Sequence, residues 1–179
     1  MIILGIHGGY TLHQHDAGAS LLVNGKLICS IEEERLVRKK NAFGLLPIES
    51  IKACLREANI KMEDVDFISM PGITYKDNLN RTNEWLKHYW GHAPKITFVH
   101  HQIAHISSAF YQSGFDDSMC ISYDAFGDKL SGASAIANLK DGIKLVDERS
   151  YENSIGIFYK IMTSFLGFKD MDEYKVMGL

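Results

Sequence analysis

With 46% apolar and 11% aromatic side chains over 179 residues and 20.2 kDa, the chain holds enough core-forming residues for one folded domain spanning 1–179, and disorder is excluded. A formal net charge of −3 and an isoelectric point near 6.2 leave no overall basic face for nucleic acid or an anionic membrane. The sequence predicts neither a leader nor a membrane-spanning run. Cys29, Cys54 and Cys120 stand too far apart for zinc thiolates or a disulfide framework, so a reduced cytoplasm is the expected location.

In chain order, residues 2 to 6 form a short apolar run broken by Gly8-Gly9, and "ASLLVNGKLICSI" (19–31) places Asn24-Gly25 between two apolar segments. Both central residues of a type I′ turn need positive φ, so this pair predicts a hairpin and the opening a three-stranded meander. From Pro47, which is tolerated at a first helical position, Ile48, Ile51, Leu55 and Ala58 recur at helical spacing. "VDFISM" (65–70) reads as a buried strand; Leu79, Leu86 and Tyr89 mark a second amphipathic helix, and "KITFV" (95–99) a further strand. A helix beginning "HHQIAH" follows, then the strand "SMCISYD" (118–124), and then a hairpin of "SGASAIANL" and "IKLVDE" across Asp141-Gly142. Ser154 is placed as the N-cap of a last helix carrying Ile155, Phe158, Tyr159, Met162 and Leu166. The order β-β-β-α-β-α-β-α-β-β-β-α predicts an α/β fold: a mixed sheet opening with a three-stranded meander and flanked by helices. Actin-like and ribonuclease-H-like ATPase lobes begin in the same way, by analogy.

His101 and His105 are i and i+4 on the predicted helix, so both can direct a ring nitrogen to one ion, whereas His100 points about 100° away. Asp124, closing an apolar strand, is the best third donor. Helix caps and solvated surface histidines account for the same spacing. Gln102 stands where a zinc protease of the HExxH type carries its glutamate base, which excludes that chemistry. His and Asp donors suit iron, manganese, zinc or nickel alike.

Two turns, 5–20 and 124–134, combine glycine with hydroxyl and acidic residues. They are candidates for phosphate cradles or magnesium sites, with Gly127 and Asp128 as nucleotide-binding residues, or else plain turns. "EEERLVRKKN" (32–41) reads as a solvated edge or as a cationic clamp for phosphate oxygens. His7, His13 and His15 lie in or beside the first turn; His88 and His92 read as helix-end surface residues.

The stretches "HDAGASLLVNGKLICSIEEERLVRKKN", "HHQIAHISSAF", "SYDAFGD", "SIGIFYKIMTSFLGF" and "EYKVMGL", from residue 15 to residue 179, together resemble the carbamoyltransferases of the NodU, CmcH and TobZ type, in family order. The resemblance implies the N-terminal lobe of an actin-like domain related to tRNA threonylcarbamoyltransferases. Such a domain binds ATP with magnesium and an iron-type divalent metal. It transfers a carbamoyl group from carbamoyl-adenylate, made from carbamoyl phosphate and ATP, to the hydroxyl of a small-molecule acceptor. Carried over by motif, His101, His105 and Asp124 are metal ligands, and His15 and Asp16 belong to the first active-site turn. Lys40 or its neighbour Lys39 is the lysine after "EEER", although the family usually has histidine where this chain has Asn41. Imidazole titrates near neutral pH, which makes His15 the candidate base for the acceptor hydroxyl. The family pattern continues beyond "KVMGL" into a second lobe, with a further metal carboxylate, and a YrdC-like domain. A chain without them is expected to be a fragment or split-gene product that binds metal weakly and transfers no carbamoyl group alone. An actin-like sugar-kinase lobe and a non-catalytic assembly module of the same fold are the competing readings.

Overall fold

The computed structural model describes residues 1–9 and 14–179, so His13 lies outside the described residues. The chain divides into two compact units, Met1–Pro71 with Tyr75–Val99, and Gly72–Thr74 with His100–Leu179. The strands accordingly form two sheets where the element order predicted one.

In the first unit, β1 (Ile2–His7), β2 (Gly18–Val23) and β3 (Lys26–Glu32) form the expected meander. Asn24 and Gly25, at φ 50° and 80°, make its turn, as the Asn-Gly pair requires. A short helix α1 (Glu33–Val37) follows, then α2 (Ile48–Glu57), β4 (Phe67–Pro71), α3 (Asn78–Trp90) and β5 (Lys95–Val99). Pro47 sits at the N-cap of α2, one place before its expected position. The sheet order is β3-β2-β1-β4-β5; β2 is antiparallel to both neighbours, and β4 is parallel to β1 and β5. That order and direction are the ribonuclease-H-like arrangement on which actin-like ATPase lobes are built. Leu4, Ile6, Leu21, Ile68 and Met70 alternate toward one core, where they meet Ile51, Cys54 and Leu55 of α2 and Leu86 of α3.

The second unit holds α4 (His101–Ser113), then β6 (Asp117–Gly127), β7 (Leu130–Asn138) and β8 (Gly142–Arg149) in an antiparallel sheet, and then α5 (Ile155–Phe165) and α6 (Glu173–Met177). Ala133, Ala135 and Ala137 line one face of β7 at the strand period, all fully buried, and Ile106 of α4 packs on the first two. Small side chains there let the helix lie close to the sheet. Gln102, with no exposed surface, ties the helix to both strands: its amide donates to Leu130 O at 3.3 Å and its carbonyl accepts from Ser122 Oγ at 2.7 Å. The residue that excluded protease chemistry is thus a packing pin.

Candidate metal centre

The N-terminus of α4 sets two of the histidines apart. His100 is the N-cap, and its Nδ1 accepts from the Gln102 amide at 3.2 Å, so it is a capping residue as well as lying off the ligand face. His101 and His105, one turn apart, converge with Asp124. His101 Nε2 lies 2.7 Å from Asp124 Oδ2 and 3.0 Å from His105 Nε2, and His105 Nε2 lies 3.6 Å from Asp124 Oδ2. The side chains of His101 and Asp124 are 24% exposed and that of His105 is 50% exposed, which leaves one side open to a ligand.

This donor set fits a cation. Around a first-row ion with bonds of about 2.1 Å, neighbouring donors stand roughly 3.0 Å apart in an octahedron and roughly 3.4 Å apart in a tetrahedron. The three observed separations bracket those values. A single proton on His101 Nε2 serves one of its two contacts well, whereas a cation between the donors serves all three. Burial alone would raise the Asp124 carboxyl. Hydrogen bonds to the His101 and His105 rings, the His101 charge and the Ala125 amide outweigh burial and hold it far below the usual carboxylate range.

Asp124 does not close a strand, as the sequence reading had it. β6 runs on to Gly127, and its register against β7 jumps from Tyr123↔Gly132 to Gly127↔Leu130. Residues 124–126 therefore form a bulge, the device by which a strand re-aims a side chain.

The turn 124–134, read as a phosphate cradle, is a β-hairpin whose corner is Asp128-Lys129, at φ 48° and 71°. Asp128 is 6% exposed, and its carboxylate is engaged by protein. It accepts from the amides of Gly72, Ile73, Thr74 and His101 at 2.9–3.3 Å and from Thr74 Oγ1 at 2.8 Å. Burial opposes ionisation, but the Thr74 amide and hydroxyl and the His101 and Ile73 amides keep this carboxyl below its ordinary range. Gly127 faces the His101 imidazole so closely that a Cβ would overlap the ring. Both residues, expected at a nucleotide, thus lie against the start of the histidine helix.

In the first unit, His15 Nδ1 lies 2.7 Å from Asp16 Oδ2, and its ring tilts against Phe43 at 5.4 Å. The Asp16 amide donates to Asn41 O at 2.7 Å, and Asn41 Nδ2 donates to Asp16 Oδ1 at 3.4 Å, so the first turn is fastened to the segment after "EEER". That segment is a solvated edge only in part: Glu32 and residues 35–40 are exposed, whereas Glu33 and Glu34 are 2% and 9% exposed. Glu33 caps α2, accepting from the Glu49 and Ser50 amides and from Ser50 Oγ at 2.7–3.0 Å. Glu34 accepts from the Asn41 amide at 2.7 Å and pairs with Lys40 Nζ at 3.5 Å. The Asn41 amide, against the cost of burial and aided by Lys40 and Arg35, lowers the Glu34 carboxyl below its usual value. The Lys39 side chain is exposed. Lys40, itself largely exposed, therefore pairs with a buried glutamate that the sequence shows only as one of a run of acids.

A family model described as carbamoyltransferase N-terminus matches residues 2–92 and 80–179. An uncharacterized protein of Methanocaldococcus jannaschii is 33% identical over 99% of this chain and 33% of its own length. The nodulation protein NolNO of Sinorhizobium fredii is 30% identical over 100% of this chain and 31% of its own. The chain thus spans about a third of the length of these curated relatives. Among solved structures, YeaZ from Pseudomonas aeruginosa is 14% identical, covering 83% of this chain and 66% of that one at a TM-score of 0.47. The ROK hexokinase from Thermus thermophilus is 13% identical, covering 86% and 50% at a TM-score of 0.44. Likenesses at this level carry no argument, and the fold rests on strand order and direction.

Proposed function

The chain belongs to the carbamoyltransferase N-terminus family, and from that premise we propose that it is the metal-holding N-terminal part of an O-carbamoyltransferase. The observation that carries this reading is the convergence of His101, His105 and Asp124 with one side open. Two imidazoles and a carboxylate with open positions suit non-haem ferrous iron, and other divalent transition metals bind the same donors. A metal held there supplies a Lewis acid for the carbonyl or nucleotide oxygens of a carbamoyl-adenylate.

The chain's own residues supply the rest of the chemistry assigned to it. Asp16 accepts the Nδ1 proton of His15, which puts the lone pair on Nε2 and suits the ring to take the proton of an acceptor hydroxyl. Lys40, paired with Glu34, and Lys39 bear positive charge toward phosphate oxygens of ATP, whose charge its magnesium also offsets. Carbamoyl phosphate, ATP and the hydroxyl acceptor are substrates of the whole protein, and this part alone is inactive. A second lobe or subunit is the expected partner. The outer face of α5 supports that expectation, since Ile155, Phe158, Ile161 and Phe165 are 52–79% exposed, and a helix apolar all round is ordinarily covered. A cytoplasmic location agrees with the free Cys29, Cys54 and Cys120. No helix among the described residues is long and apolar enough to cross a membrane.

Family membership favours this reading over a sugar-kinase lobe. The test is carbamoyl transfer from carbamoyl phosphate and ATP by the purified chain, alone and with the C-terminal part of a relative. We expect none alone and transfer on complementation that His101→Ala abolishes. Turnover by the chain alone, or complementation indifferent to His101→Ala, contradicts it.

A further inference from the structure

The metal ligands come from two elements. His101 and His105 keep their mutual spacing because they share α4, but Asp124 lies in the β6 bulge, outside the regular ladder, so something other than β7 must hold it. Helix α5 supplies that hold. Ser154, its N-cap, is 7% exposed; its Oγ accepts from the Ile157 amide at 3.0 Å and lies 2.9 Å from Asp124 O and 2.8 Å from Ala125 O. One hydroxyl therefore starts the helix as an acceptor and gives its single proton to the bulge, within reach of both carbonyls there. Two residues on, Gly156 lets the first turn of α5 lie on the bulge: a Cβ there would stand 2.6–2.7 Å from Ala125 N, Ala125 Cα and the Asp124 carbonyl carbon, closer than such atoms approach.

His101 is held by a second pair. Its amide donates to Asp128 Oδ2 at 2.9 Å, and its ring occupies the space that Gly127 leaves by lacking a side chain. Each ligand of the His101–Asp124 pair thus has one polar and one steric support, and all four supports lie in "AFGD" and "NSIGIF", segments that bear no ligand after Asp124.

We propose that Gly127 and Asp128, at the β6–β7 corner, and Ser154 and Gly156, at the start of α5, are positioning residues that fix the geometry of the metal ligands. This inference rests on the metal-centre reading above. Removing such supports typically weakens metal binding by about 10–100-fold while the ligands stay in place. The steric pair acts by volume, so alanine at 127 displaces the His101 ring; the polar pair acts through an oxygen, so threonine at 154 keeps the function that alanine loses.

The experiment is a Co(II) titration of the 179-residue chain, followed by visible absorption of the bound ion, with urea unfolding of each metal-free variant beside it. The set is the unsubstituted chain, His101→Ala, Gly127→Ala, Ser154→Ala and Ser154→Thr. We expect one saturable absorption band that His101→Ala abolishes. Gly127→Ala and Ser154→Ala should show about 10–100-fold weaker binding with an altered band, and Ser154→Thr should restore both. Unchanged affinity and band in Gly127→Ala and Ser154→Ala, whatever their unfolding midpoints, overturn the positioning roles and leave the metal centre standing. Absence of the band in the unsubstituted chain, or its persistence in His101→Ala, overturns the metal centre and this inference together. If Gly127→Ala does not fold, the Ser154 pair decides, since threonine and alanine differ there by the hydroxyl that the inference invokes.

Discussion

Replacing Gln102 with glutamate gives this helix the HExxH pattern of a zinc protease, and the structure dictates a pH-dependent loss of stability in place of new chemistry. The side chain has no exposed surface and sits between Ser122 Oγ, which donates to it, and Leu130 O, which accepts from it. A carboxylate satisfies the first and repels the second, whereas a protonated carboxyl satisfies both, so the folded state holds the proton. The folded pKa of the new glutamate is therefore raised above its unfolded value. By linkage the penalty is absent below about pH 4.3 and grows by about 1.36 kcal/mol with each pH unit above it. If the fold keeps the proton throughout, Gln102→Glu costs about 1 kcal/mol at pH 5 and about 3.7 kcal/mol at pH 7. At about 2–4 °C per kcal/mol for a chain of this size, the pH 7 difference is roughly 7–15 °C in melting temperature. The assay is thermal and urea unfolding of Gln102→Glu and the unsubstituted chain at pH 5 and pH 7, with the difference taken at each pH. Equal penalties at the two values, or no penalty at pH 7, refute the argument.

Three further outcomes follow from the same geometry. Glu33→Ala strips the start of α2 of an acceptor for two amides and a hydroxyl, and should destabilise the first unit by about 2–4 kcal/mol, read as a fall in unfolding midpoint. Glu34 has a lowered folded pKa, so its contribution is present above its ordinary value and lost as pH falls through the folded one. Hydrogen exchange at the Asn41 amide, corrected for intrinsic rate, should lose protection on acidification, and Glu34→Ala should lack that protection at neutral pH. Asp128→Asn presents an amide group to a ring of backbone donors; a loss of about 2–4 kcal/mol is expected, and a loss under about 0.5 kcal/mol would show that the corner is not held by this carboxylate.

What could be read from sequence divides by range. The Asn24-Gly25 hairpin and the Ser154 cap depend on neighbours within a few positions, and local backbone chemistry specifies them. The i, i+4 pair of His101 and His105 is legible for the same reason, since one helix turn sets it. The burial of Glu33 and Glu34 is not, because a charge run reads as solvated until α2 and Asn41 supply the amides that donate to the two carboxylates. Gly127 and Asp128 are visible as a glycine-acid pair, but only the approach of α4, some 25 positions earlier in the chain, shows them to be engaged with His101. The bulge at Asp124 is illegible because strand length alone does not reveal a break in register. The division of the strands into two sheets depends on pairings that the element order leaves open.

The account turns on whether His101, His105 and Asp124 hold a metal. The most direct measurement is equilibrium dialysis of the chain against graded ferrous iron under anaerobic conditions, with elemental analysis of both compartments, beside His101→Ala, His105→Ala and Asp124→Ala variants that keep the unsubstituted chain's circular dichroism. About one ion per chain, lost in each variant, is the predicted result. No bound ion in the unsubstituted chain, or equal loading in the three variants, would contradict it.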